Sequence, residues 1–233
     1  YFESISLLNR LNHIALILDG NKRWAKKNKF SNSHGYTKGF ENIKNIAEYA
    51  LSIKLSHLTI FALSSENFNR KSINIIYEII YKNFSKFLDD LIKNKNMKIR
   101  IVGSRKNLPK KIIDIFNQAE DLSKENNLLN LNIVFNYGFK DEIRDVINKI
   151  NITKKTNDSY NDIEIKELFY LGNIHDPDIL IRTGGYQRLS NFIMFNLTYT
   201  ELFFTKTLWP DFSIKEFSEI INKFHLINRK YGL

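Results

Sequence analysis

The chain has 233 residues and carries 35 Lys and Arg against 25 Asp and Glu, a formal charge of +10 at neutral pH. Without a single Cys it has no disulfide framework, no thiol nucleophile and no Cys-ligated zinc or iron–sulfur centre. A content of 43% hydrophobic and 13% aromatic residues excludes global disorder, and no apolar run approaches the roughly 20 residues that span a bilayer. Tyr1-Phe2-Glu3-Ser4 shows neither an initiator Met nor a basic-then-apolar signal, so the chain is expected to be trimmed at its amino end. The compartment stays open: soluble, or peripheral to a membrane. The basic balance points to an anionic partner (nucleic acid, a phosphorylated small molecule or a lipid surface), and equally to base-composition bias in the gene.

The first apolar run, His13–Leu18, reads as a strand. It empties into Asp19-Gly20-Asn21-Lys22-Arg23-Trp24-Ala25, a carboxylate at a strand end followed by Gly and a basic helix start. Gly20 and helix-terminal N–H groups would admit an anion, Arg23 could chelate it, and Asp19 could hold Mg²⁺ together with phosphate oxygens. Taken alone, Asp-Gly-Asn is more often a plain turn. Phe40, Ile43, Ile46, Ala47, Ala50 and Leu51 recur at three and four and predict a helix. The next strand, His57–Leu63, runs into Ser64-Ser65-Glu66-Asn67-Phe68-Asn69-Arg70. There Ser64, Asn67 and Arg70 are expected along one face of a first helical turn, and a solvated start capped by Ser65 is an equal alternative.

Ile76, Ile80, Phe84, Phe87, Leu88 and Leu91 predict a longer helix whose stripe is more often core than ligand wall. A third strand is expected at Lys98–Val102, a helix from Pro109 through Ile112, Phe116 and Leu122, and a fourth strand at Asn130–Phe135. The polar stretch Asn151–Asp162 reads as an exposed loop. A fifth strand, Asp178–Ile181, leads into Arg182-Thr183-Gly184-Gly185-Tyr186-Gln187-Arg188-Leu189-Ser190-Asn191. Arg182 and Arg188 flank a Gly-Gly turn ahead of Ser190, a fitting cradle for a second diphosphate. Glu201, ahead of a sixth strand at Leu202–Thr205, is a second candidate metal ligand. Ser213-Ile214-Lys215-Glu216 has the form of a capping box heading a last helix to about Asn228.

Strands alternating with helices predict a single α/β domain over residues 1–233, its central, mainly parallel six-stranded sheet covered by helices on both faces. In such sheets ligands bind at the carboxyl ends of the strands. Walker, G-x-G-x-x-G, G-x-S-x-G and H-E-x-x-H patterns are absent, and His13, His34, His57, His175 and His225 are scattered and mostly structural in this reading.

Taken in order, Asp19-Gly-Asn-x-Arg-Trp-Ala25, Phe61-Ala-x-Ser-Ser-Glu-Asn-Phe-x-Arg70, Ile181-Arg-Thr-Gly-Gly-x-x-Arg-Leu-Ser-Asn-Phe192 and Tyr199-Thr-Glu-Leu-Phe-Phe-Thr205 resemble the motifs of the cis-prenyltransferases. The resemblance runs from about His13 to Gly232. It implies a parallel sheet with an apolar tunnel against its helices. It also implies sequential Z-condensation of isopentenyl diphosphate onto an allylic diphosphate such as farnesyl diphosphate, with Mg²⁺ and release of diphosphate. By the same resemblance Asp19 is the metal-associated catalytic carboxylate, and Ser64 and Asn67 lie near the reacting carbons. Gly20, Asn21, Arg23, Trp24 and Arg70 then belong to the allylic pocket, Arg182, Arg188 and Ser190 to the isopentenyl pocket, and Glu201 to the metal.

The implied partners are the two diphosphates and a second copy of the chain, with peripheral membrane contact for product release and no nucleic acid. Leu189–Leu208 would supply the dimer interface, with Phe192, Phe195 and Tyr199 as anchors. Phe84, Phe87 and Leu91 would narrow the tunnel and hold the product near undecaprenyl length. Departures from the family pattern are Lys22, Asn32, Tyr36, Tyr186-Gln187 and Lys230. The alternative is a non-catalytic, prenyltransferase-like subunit that binds lipid or an active partner; the presence of Asp19, Arg182 and Arg188 argues against it.

Overall fold

A computed structural model describes residues 11–67, 73–94, 96–153 and 160–229 and, within these, all side chains except those of 84–94 and 153. In chain order the elements are β1 (His13–Ile17), α1 (Asn21–Lys27), α2 (Asn32–Ser52), β2 (His57–Ser64), α3 (Ile73–Asn94), β3 (Met97–Val102), α4 (Lys110–Ser123), β4 (Leu129–Tyr137), α5 (Phe139–Thr153), α6 (Asp162–Glu167), β5 (Ile179–Arg182), β6 (Glu201–Phe204) and α7 (Ile214–His225). All six expected strands form, each within two residues of its expected ends. They pair in parallel throughout, in the order β3-β4-β2-β1-β5-β6.

A parallel sheet must be covered on both faces, because helical crossovers lie on them. Every residue of β1 and of β5 is accordingly buried. Alternation along β1 sends Ile14 and Leu16 into one core with Ile46, Ala47, Phe116 and Phe217, and Ala15 and Ile17 into a second with Phe61, Val134 and Phe192. Helices α2, α3, α4 and α7 supply side chains to the first core. Phe192 is therefore not the interface anchor expected of it: it is fully buried and stacks on Phe61 with ring centroids 4.6 Å apart. Phe195 stacks on Phe169 at 4.1 Å, whereas Tyr199 is exposed.

Helix ends follow local chemistry. Pro109 is the N-cap residue of α4, and Ser213 caps α7 by accepting from the Glu216 N–H at 3.1 Å. The Glu216 carboxylate does not close the box; it accepts from the Thr205 hydroxyl at 2.5 Å and ties α7 to the end of β6. Of the expected loop at 151–162, residues 151–153 belong to α5 and α6 begins at Asp162 behind a capping box made by Asn161 and Glu164, while 154–159 lie outside the described residues. Among the described residues no helix is long and apolar enough to cross a membrane.

The amino ends of the strands close on a buried polar chain. His13 is fully buried; its Nδ1 lies 2.5 Å from the His175 carbonyl and its Nε2 2.7 Å from Thr59 Oγ1. A carbonyl only accepts, so Nδ1 carries the proton and Nε2 accepts from the Thr59 hydroxyl, which itself accepts from Asn132 Nδ2 at 3.0 Å. Burial pushes the imidazole down to about 3, with His57 and His175 nearby adding to the effect. The unfolded chain takes up this proton near pH 6.5 while the folded one does not, so stability is complete above that pH and declines as pH falls towards 3. At pH 5 the loss is on the order of 2 kcal/mol. Urea unfolding at pH 7 and pH 5 should show a decline of this size in the unmodified protein and a clearly smaller one in His13→Gln, which has no titrating ring.

Candidate functional site at the carboxyl ends of β1 and β5

The chain leaves β1 towards β2 on one side and leaves β5 towards β6 on the other, so a crevice opens between their carboxyl ends. Asp19 and Arg182 meet there. Arg182 ends β5, is 4% exposed in its side chain, and donates Nη2–H to Asp19 Oδ2 at 3.0 Å. Arg23, one turn into α1, donates Nη2–H to Asp19 Oδ1 at 3.0 Å and Nη1–H to the Gly184 carbonyl at 2.7 Å. Arg182 Nη1 also donates to Ser190 Oγ at 2.7 Å and to the Arg188 carbonyl. Asp19, Arg23, Arg182, Arg188 and Ser190, far apart in sequence, thus form one cluster.

Backbone geometry makes the cluster compact. Gly184 has φ 85°, and a Cβ there would stand 2.5 Å from Arg23 Nη2 and 2.9 Å from the Asp19 carbonyl. Gly20 has φ 123°, and its Cβ would meet Leu208 at 2.9 Å. Only glycine serves at either place. Ser190 and Asn191 also adopt left-handed backbone, at φ 52° and 62°, a costly conformation that aims the Ser190 hydroxyl at Arg182. Thr183, a member of the Arg-Thr-Gly-Gly motif to which the sequence reading assigns no role, is the clasp: its Oγ1 accepts from the Asp19 N–H at 3.0 Å and donates to the Asp19 carbonyl at 2.9 Å.

Asn21 connects this cluster to an apolar cavity of about 110 Å³ under α2, α3 and α4. Leu18, Phe40, Ile43, Ile60, Ile76, Ile80, Phe116 and Phe135 are among its walls, and Asn21 and Tyr36 supply its polar side chains. Tyr36, noted only as a departure from the family pattern, is therefore part of the cavity. Among the described residues the Asn21 Oδ1 atom, at the cavity wall, and Arg182 Nε, within the cluster, are buried without hydrogen-bond partners, one an acceptor and one a donor.

Other expected residues are placed differently. Ser64 is the last residue of β2, and Ser65–Asn67 form a 3₁₀ turn, so Ser64 and Asn67 do not share a face of an α-helical turn. Ser65 Oγ donates to Asp141 at 2.6 Å instead of capping a helix. Trp24 is not gathered into the cluster: its ring is buried, stacks on Phe30 and His34, and donates Nε1–H to Asp211 at 2.6 Å. Glu201 opens β6 opposite Ile179 while Arg182 faces Phe204, so within one chain Glu201 lies roughly 10 Å of strand away from Asp19. It stands instead 4.0 Å from Arg229. Arg70 and Lys230 lie outside the described residues, as do the side chains of Phe84, Phe87 and Leu91.

Removing the Asp19 carboxylate would leave the buried Arg182 guanidinium without its counter-ion. Because Asp19 is itself 29% exposed, water offsets part of that penalty, and Asp19→Ala should lower stability by about 1–3 kcal/mol. Chemical denaturation of the variant against the unmodified protein measures it.

The family model for "Putative undecaprenyl diphosphate synthase" matches residues 17–232. The isoprenyl transferase of Aquifex pyrophilus is 36% identical over 222 residues, covering 94% of this chain and 95% of the relative, and that of Fusobacterium nucleatum is equally similar over the same shares. Among solved structures, lavandulyl diphosphate synthase from Lavandula x intermedia, in complex with dimethylallyl diphosphate, superposes with a TM-score of 0.90 at 28% identity, covering 95% of this chain and 98% of that one. A "probable undecaprenyl diphosphate synthase" from Campylobacter jejuni does so with a TM-score of 0.81 at 27% identity, covering 97% and 100%. The parallel sheet, the crevice between β1 and β5 and these likenesses lead to one conclusion: the chain belongs to the cis-prenyltransferase family and is a prenyl-transferring enzyme.

Proposed function

We propose that this enzyme condenses isopentenyl diphosphate with an allylic diphosphate and repeats the step to build a polyprenyl diphosphate. One observation carries the reading: a cluster of guanidinium groups around a single carboxylate borders an apolar cavity. Diphosphates match the first part and a prenyl chain the second. Asn21, at the cavity wall, and Arg23, two residues further along α1, suit the allylic substrate, while Arg182, Arg188 and Ser190 suit isopentenyl diphosphate. The dimethylallyl diphosphate bound to the lavender relative, itself an allylic diphosphate, supports the same substrate class.

The donor set fits a magnesium ion carried by phosphate. Asp19 is one carboxylate beside surplus guanidinium charge, and no group of three His, Cys, Asp or Glu residues converges among the described residues. Mg²⁺ takes one or two carboxylates and fills its sphere with phosphate oxygens and water, so Asp19 would hold it here. The ion would neutralise charge on the departing diphosphate. Arg23 and Arg182 would bind the same oxygens through charge-assisted hydrogen bonds, and the dry walls around Ile60, Ile80 and Phe135 would keep water from the cationic allylic carbon. Carbon–carbon bond formation then proceeds with loss of diphosphate and of one proton from the isopentenyl unit.

A homodimer belongs to this reading. Glu201 could approach the Asp19 site only from a second copy, and exposed Met194, Tyr199 and Leu202 offer an apolar edge beside it. Peripheral contact with a membrane would serve release of the long product.

Incubation with labelled isopentenyl diphosphate, farnesyl diphosphate and Mg²⁺ should yield a labelled prenyl product; a folded protein that yields none is the non-catalytic subunit instead. Arg182→Ala and Arg188→Ala should each raise the KM for isopentenyl diphosphate by about one to two decades. A rise confined to the KM of the allylic primer would reverse the assignment of the two pockets.

Product length follows from the cavity. Phe116 is almost fully buried at its wall, edge-on to Phe135 at 5.2 Å. Phe116→Ala should lengthen the product beyond the undecaprenyl-like length of the unmodified enzyme, at a stability cost of about 3–5 kcal/mol. Chromatography of the dephosphorylated alcohols reads the outcome, with Phe116→Leu as the milder variant.

A further inference from the structure

Three guanidinium groups converge on one aromatic ring. Arg188 lies 4.2 Å from the Tyr186 ring centroid, Arg23 4.8 Å and Arg182 5.8 Å. Core packing does not force this arrangement, since Tyr186 is 43% exposed. The backbone does: Gly184 and Gly185 both take left-handed φ, at 85° and 82°, and their N–H groups are tied to the Thr207 and Thr205 carbonyls at 2.8 Å each. The turn thereby presents Tyr186 to the arginines on both sides of the crevice.

The electrostatics give the ring a task. Among the described residues two of these guanidinium groups, Arg23 and Arg182, pair with the Asp19 carboxylate and take both of its oxygens, which leaves none for the third. The ring is the contact the structure gives the Arg188 guanidinium. Like charges left this close would splay into water, and a splayed arginine must be reordered before it grips an anion. The negative face of an aromatic ring attracts each cation without competing as a hydrogen-bond acceptor, so the N–H groups stay available for phosphate oxygens.

We propose that Tyr186 is a positioning residue shared by both diphosphate pockets, holding Arg23 from the β1 side and Arg182 and Arg188 from the β5 side converged on the space beside Asp19. This rests on the substrate reading given under Proposed function. It assigns a role to a position where the sequence showed only a departure from the family pattern, and it predicts coupled rather than separate effects on the two substrates.

The test is calorimetric titration of the full-length protein with inorganic pyrophosphate in magnesium buffer, paired with steady-state kinetics. Tyr186→Leu should weaken pyrophosphate binding about tenfold and raise the KM for both isopentenyl diphosphate and the allylic primer, with kcat within about twofold; Tyr186→Phe should restore all three to within about twofold. Because the side chain is largely at the surface, both variants should melt close to the unmodified protein, and thermal scans check this. If Tyr186→Leu binds pyrophosphate normally while Arg188→Ala does not, the positioning role is overturned and the substrate reading stands. If Tyr186→Phe is as weak as Tyr186→Leu, the hydroxyl and not the ring is at work, which also overturns it. If Arg182→Ala and Arg188→Ala both bind pyrophosphate normally, the pocket itself is misread and both proposals fall together.

Discussion

The Asp19 carboxylate is held between two guanidinium groups, one from the helix that follows it and one from the end of the neighbouring strand. That clamp depends on β1 and β5 being parallel and adjacent, in a register that sets Ile17 beside Arg182. Only then do the two carboxyl ends, separated by more than 160 residues, present their side chains to the same space. Thr183 locks the register from below by bonding both backbone groups of Asp19. The Trp209 N–H holds the Asp19 carbonyl from the other side at 3.0 Å. Backbone groups of Asp19, Thr183, Gly184 and Gly185 are all hydrogen-bonded, and so the ordering cost of binding falls mainly on side chains.

The cavity obeys the opposite requirement. A prenyl chain brings no hydrogen bonds, so its container must be mainly apolar; apart from Asn21, Tyr36 and Trp209 the wall side chains are Ile, Leu, Phe and Ala from the sheet and from α2, α3 and α4. Asn21 stands at the change from one regime to the other, with Gly39 so close that a Cβ there would overlap its Oδ1 at 2.1 Å. The same two-residue step along α1 that separates Asn21 from Arg23 therefore separates an apolar container from a charged one.

The sheet was almost wholly legible in the sequence because buried parallel strands are short apolar runs, and runs such as His57–Leu63 and Asn130–Phe135 stand out against a Lys- and Asn-rich background. The cluster around Asp19 was legible for a related reason: charged residues stand directly at strand ends, as Asp19 and Arg182 do. Side-chain direction was not legible. Phe192 and Trp24 look like surface anchors or ligand contacts in a motif, yet packing against Phe61 and a bond to Asp211 draw them inward. Glu201 shows a further limit, because a run of four strand residues does not reveal which end carries the site until its register with β5 is known. Tyr186 could not be read at all as a partner of arginine, since cation–ring contacts depend on a turn conformation set by Gly184 and Gly185.

The two ends of the sheet carry carboxylate–arginine pairs of the same chemistry, and their charge balance differs. At the amino end Asp178 is 3% exposed in its side chain and is met by three donors: the Asn12 N–H at 2.7 Å, the His13 N–H at 3.0 Å and Arg229 at 3.2 Å. Glu201 lies beside the same Arg229, so two carboxylates share one guanidinium there. At the carboxyl end one carboxylate faces Arg23 and Arg182, with Arg188 joined to them through a ring. A buried carboxylate met by three donors, with no surplus of positive charge beside it, fixes chain geometry and gains nothing from a further anion. A cluster with surplus positive charge at a partly exposed crevice is stabilised by an added anion, because each guanidinium keeps N–H groups that neither Asp19 nor the ring can satisfy. The parallel fold brings both pairs into being, and the surplus of charge at one end is what suits that end to the diphosphates of the proposed reaction.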